Sequence, residues 1–167
     1  MKAFPSLLAV ACAMPLVGCS VDIDAENAVA RGASLTEIEN DGEASAVRPD
    51  GAGTWVLITA QIKKEDVESV SRWEVYPHVY IVECVTGRDV NVGSEPKIGG
   101  EDFANSNAVK AQLDAQPDKL HYQMRSLIFA RKGDFQTPQC LQFRGGSMLG
   151  QKIIEKQFPI RIVGPLP

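Results

Sequence analysis

Between residues 55 and 163 the chain is built from short runs in which every second residue is apolar, and that period restricts it to strands. Trp55 to Ile62 sets Val56, Ile58, Ala60 and Ile62 on one side. Glu74 to Val85 is β-branched and aromatic, and Pro77 predicts a bend or an edge position near its start. In Leu120 to Ala130, Tyr122 and Met124 share a side. The parity then breaks at Leu127, Ile128 and Phe129, which implies a bulge or burial on both faces. Cys140 to Arg144 points Leu141 and Phe143 inward. In Lys152 to Val163, Ile154, Phe158, Ile160 and Ile162 are expected inward and Pro159 and Arg161 outward, as suits an edge strand.

Turn signals separate these runs: Thr86 to Asp89, Gly99-Gly100, Gly133-Asp134 and Gly145-Gly146. One helix is expected after Asn105 or Ser106, with Val109 and Leu113 four apart and Pro117 beyond its end. A weaker helical turn fits Glu65 to Val70. Strands of this number and length predict a mainly β fold, an antiparallel β-sandwich or small barrel with one short decorating helix.

The N-terminus is of a different kind. Met1-Lys2 is followed by an apolar or small run from Ala3 to Val17, broken only by Ser6 and too short to span a bilayer. It closes on Leu16-Val17-Gly18-Cys19. This resembles the lipobox of bacterial lipoproteins. The resemblance covers the first 19 residues and implies that residues 1–18 are a signal peptide and that Cys19 receives a diacylglyceryl group on sulfur. Two or three acyl chains hold a protein stably, where one chain binds only marginally. Cleavage after Ala11-Cys12-Ala13, leaving a soluble secreted protein, is the alternative. Ser20 resembles the sorting pattern of outer-membrane lipoproteins in Gram-negative bacteria, which implies a periplasm-facing, outer-membrane anchored protein. Pro5 and Pro15 depart from a helical signal core.

Residues 20–50 carry eight acidic side chains against Arg31 and Arg48 and have no aromatic residue. On composition, residues 19–50 are expected to be a lipidated, acidic, disordered tether, about 30 Å in span if flexible. Residues 51–167 hold 14 basic and 13 acidic residues and form the expected β-sandwich domain.

With Cys12 in the signal and Cys19 lipidated, Cys84 and Cys140 remain as an even pair, which closes in an oxidising compartment. Their separation of 56 residues resembles the inter-sheet disulfide of immunoglobulin-type sandwiches. The chain departs from that family because Trp55 and Trp73 both precede Cys84, and Pro138 stands where the family has Tyr. The likeness is therefore one of architecture, Ig-like by analogy.

Motifs for chemistry are sparse. His78 and His121 lack metal-ligand spacing and read as exposed strand or loop residues. Gly145 to Gln151 approximates a phosphate-binding loop, but Gln151 stands where Lys is needed and the next segment is β-rich, so a hairpin turn is expected. Met148 and Leu149 at its tip are candidate partner-contact residues. Ser94-Glu-Pro-Lys97 has the spacing of a penicillin-recognising motif, yet Pro96 opposes the helix that motif needs. The net charge of −4 argues against nucleic acid as a partner. The expectation is a lipid-anchored envelope protein without catalytic residues, metal or cofactor, binding an envelope or incoming protein. An immunity or inhibitor lipoprotein that neutralises a toxin or hydrolase is the alternative form. An enzyme using His78 or His121 with a nearby carboxylate is the competing class.

Overall fold

The computed structural model describes residues 20–42 and 52–166. The expected signal peptide and Cys19 lie outside the described residues. Among the described residues twelve strands form two sheets: β1 (Ser20–Val21), β2 (Ala25–Gly32), β3 (Gly53–Lys63), β4 (Tyr76–Glu83), β5 (Asp89–Val92), β6 (Lys97–Ile98), β7 (Glu101–Asp102), β8 (His121–Arg131), β9 (Gln139–Gly146), β10 (Lys152–Ile153), β11 (Gln157–Pro159) and β12 (Arg161–Val163). Three short helices are complete among the described residues: α1 (Leu35–Glu39), α2 (Lys64–Arg72) and α3 (Ser106–Ala115). The first sheet runs β1-β10-β9-β4-β5, with β11 also on β9; the second runs β12-β2-β3-β8-β6-β7. The chain is mainly β and sandwich-like. Pairing is antiparallel except at two short edges, where β1 runs parallel to β10 and β12 parallel to β2, so both sheets are mixed.

The period-two runs build the core as expected. Val56, Ile58, Ala60 and Ile62 of β3 and Tyr122, Met124 and Ile128 of β8 meet Val79 and Ile81 of β4 and Leu141 and Phe143 of β9 in one contiguous cluster. The broken parity at Leu127–Phe129 is not a bulge, because β3 and β8 stay in unbroken register from Gly53↔Arg131 to Lys63↔His121. It is burial on both faces: Ile128 enters the core while Leu127 packs outward against Leu57, Trp55 and Ile38.

Pro77 sits where only β9 pairs with β4, since β5 begins to pair at Tyr80. The missing N–H costs no ladder bond to β5 there. Across from it, Gly145 is at φ +149° and a Cβ would lie 2.0 Å from the Tyr76 carbonyl oxygen, so only glycine fits.

Both helices read from the sequence form. Asn105 caps α3 by accepting the Ala108 N–H, and Val109 and Leu113 point into the core. α2 is amphipathic and buries Val67 and Val70, so these helices supply core as well as decoration. Ser71 Oγ donates to the Ser106 carbonyl at 3.1 Å and ties the two together.

Three expectations are corrected. First, the described part of 19–50 is not a disordered tether, and the folded domain does not begin at residue 51. Ser20–Val21 joins the first sheet and Ala25–Gly32 lies inside the second, between β3 and β12. Val21, Ile23, Ala25, Ala28 and Ala30 are all buried. Asp22, Asp24 and Glu26 alternate with Val21, Ile23 and Ala25 and so are not buried with them, and a distant cation meets two of them: Lys156 Nζ is 2.7 Å from both Asp22 Oδ2 and Asp24 Oδ1. Net charge measured segment by segment misses such pairing.

Second, 152–163 is not one edge strand. Ile153 is buried and Ile154 is 41% exposed, the reverse of the expected parity. Pro159 ends β11 on the first sheet and the chain crosses to the second as β12, with Ile162 also 41% exposed. Third, Cys84 and Cys140 are bonded, with Cα atoms 5.1 Å apart, but within one sheet. Cys84 follows β4 and Cys140 lies on β9, its neighbour, so the bridge is cross-strand and not inter-sheet. The immunoglobulin analogy stops at the architecture.

Candidate functional site

The outer face of the second sheet carries a cleft of about 270 Å³ lined by Leu57, Leu127, Glu37, Asp41, Lys97 and Arg125, among others. Its formation begins with Ser34-Leu-Thr-Glu37. Ser34 Oγ accepts the Glu37 N–H while the Glu37 carboxylate accepts the Ser34 N–H at 2.9 Å, a capping box that starts α1. α1 then lays Ile38 over Leu57 and Leu127. This spacing was present in the sequence and would have located the helix.

Glu37 stands at the centre of the cleft's charges. Arg31 Nη1 donates to it at 2.9 Å and Arg125 Nη2 at 3.4 Å. The hydrogen bond from Arg31, aided by the Ser34 N–H and hydroxyl and opposed by partial burial, holds the Glu37 carboxyl at about 2. It therefore stays ionised near neutral pH and is a poor proton acceptor. Lys97 Nζ approaches the buried Asp41 carboxylate at 3.6 Å. The arrangement presents fixed charges of both signs around an apolar floor.

The first sheet has its own charged face. Arg144 grips Asp89 with two bonds of 2.9 and 2.7 Å, donates to Gln142 Oε1 at 2.8 Å, and lies 4.3 Å over the Tyr80 ring. The Asp89 carboxyl is lowered chiefly by that hydrogen bond, and the Arg144 guanidinium is raised by it.

The residues singled out by sequence are scattered. His78 is exposed on β4, opposite Arg144 in register; His121 is exposed at the start of β8, opposite Lys63. They lie on different sheets and are not brought together. Among the described residues no group of three or more His, Cys, Asp or Glu is placed to hold a metal. Ser94 Oγ accepts the Leu127 N–H at 2.9 Å, and the Ser94 carbonyl accepts from Ser126 Oγ at 2.9 Å, so Ser94 pins a loop to β8. Lys97 belongs to the cleft.

Gly145 to Gln151 is the expected turn: Gly146 pairs with Lys152 and the Ser147 N–H donates to the Gln151 carbonyl at 3.0 Å. Met148 and Leu149 stand at its tip, 95% and 79% exposed.

The fold and disulfide define a two-sheet, disulfide-bonded β protein. In comparisons with known proteins the chain matches no family model, no curated protein and no solved structure.

Proposed function

We propose that this protein is a lipid-anchored, periplasm-facing envelope lipoprotein, held in the outer membrane through Cys19, that acts as a non-enzymatic protein-binding module. The lipobox supports the anchor. The observation that carries the binding reading is the cleft on the second sheet, where an apolar floor of Leu57 and Leu127 is rimmed by charges already locked in ion pairs. Groups fixed this way suit recognition of a mixed polar and apolar protein surface, with rim charges steering the approach. They do not suit proton transfer, because Glu37 is held ionised by Arg31.

The test is capture from the native envelope and secreted fractions with the oxidised protein and an Arg125→Glu variant. A partner retained stoichiometrically by the parent and lost with the variant supports the reading. If that partner is a toxin or hydrolase inhibited on mixing, the inhibitor form holds. A partner retained equally by both proteins refutes the assignment to the cleft. Turnover of an envelope substrate that disappears in His78→Ala or His121→Ala would refute the non-enzymatic reading.

A further inference from the structure

The end of the first sheet that holds Ser20 carries exposed apolar side chains. Ser20, the first residue of β1, pairs with Lys152; Lys152 pairs with Gly146; and Gly146 pairs with Tyr76. These four residues make a row across the sheet about 14 Å wide, at about 4.8 Å per strand. Beyond the row project Met148 and Leu149, at the turn between β9 and β10. Tyr76 is 47% exposed and Trp73, three residues before it, 37%.

The turn is held in shape. The Ser147 N–H donates to the Gln151 carbonyl, the Gly150 N–H to the Ser147 carbonyl, and the Ser147 hydroxyl to the Gln151 side chain. Two large apolar side chains are thus presented at a fixed tip, although burying neither adds to the core.

From this placement we infer that this end is a lipid-docking surface. In it, the Met148–Leu149 tip enters the acyl boundary of the membrane in which Cys19 is anchored, and Trp73 and Tyr76 lie at headgroup level. The inference rests on the proposed acylation of Cys19. Cys19 directly precedes Ser20 in the sequence. With Ser20 in the sheet, no length of chain separates the lipid from the domain. The turn reaches about two residues, or roughly 7 Å, past Lys152, the residue that pairs with Ser20. Trp and Tyr favour the membrane–water interface because one part of each ring is apolar and the other polar. Lys152 adds a cation for anionic headgroups, and the exposed Glu74 at this end stays in the aqueous layer. Met148 and Leu149 then contact lipid, which leaves the cleft on the other sheet for a protein partner.

The experiment uses the acylated full-length protein, carrying Trp55→Phe so that Trp73 reports alone, in vesicles of phosphatidylethanolamine and phosphatidylglycerol brominated on the acyl chains. The expected result is quenching of Trp73 emission. In Met148→Asp/Leu149→Asp that quenching is lost and the emission shifts to the red, while the protein still floats with the vesicles. The pair is so exposed that this double variant keeps the fold, which circular dichroism checks. Unquenched Trp73 in a protein that floats and carries diacylglyceryl on Cys19 by mass overturns the docking surface and leaves the anchor standing. A Cys19 found without lipid overturns the anchor, and the docking surface with it.

Discussion

Ile23→Ala separates a folded N-terminal segment from an acidic spacer. Ile23 sits in the crossing from β1 to β2, between the two sheets, and is 1% exposed. It belongs to the same core as Val21, Val67 and Phe143. Truncation to Ala removes three carbons from a packed site and leaves a cavity that the flanking strands cannot close. Buried Ile→Ala changes cost about 2–5 kcal/mol. A domain of this size has about 5–15 kcal/mol in all and loses about 2–4 °C of melting temperature per kcal/mol. The expected outcome is a melting temperature lower by roughly 4–20 °C, with a matching fall in the urea midpoint at unchanged m. The assay is denaturation of protein spanning residues 20–167 with its disulfide formed. Leu35→Ala, at a position 78% exposed, is the control and should change stability by less than about 0.5 kcal/mol. If Ile23→Ala is as silent as the control, segment 20–32 is not packed and its place in both sheets is wrong.

Reducing the Cys84–Cys140 bridge frees a 56-residue separation, and chain entropy sets the loss at about 4 kcal/mol, read as a lower urea midpoint in reductant. The pH dependence follows from Glu37, whose folded carboxyl at about 2 lies below its ordinary 4.5. A depressed carboxyl contributes stability fully above its unfolded value, and that contribution drains as pH falls from about 5 toward 2. Because Arg31 is 42% exposed, solvent screening limits this to about 1 kcal/mol. Glu37→Gln should lose it at pH 7 and show a flatter acid limb in denaturation curves. Gly145→Ala forces a Cβ against the Tyr76 carbonyl at a left-handed φ and should cost at least about 1–3 kcal/mol in thermal melts, whereas Gly150→Ala, with open space around it, bears only the φ strain.

The alternating runs of β3, β4, β8 and β9 were legible because period two reports which face is buried, independently of what covers it. Local signals likewise located α3, through Asn105, Val109, Leu113 and Pro117, and the even pair Cys84 and Cys140 located the disulfide. The capping box that begins α1 is equally local, and so is the alternation Val21-Asp-Ile-Asp-Ala25, which the acidic composition around it obscures.

The positions of long-range partners come from the assembled fold alone. Lys156 reaches Asp22 across 134 residues and Arg125 reaches Glu37 across 88, and these pairs let an acidic segment join the sheets. Whether Cys84 and Cys140 bridge sheets or neighbouring strands depends on strand order, which spacing does not encode. The cleft exists only because α1 folds onto Leu57 and Leu127. Local periodicity determined which residues turn inward; the packing of distant strands determined what they meet, because contacts between residues far apart in sequence leave no periodic trace in it.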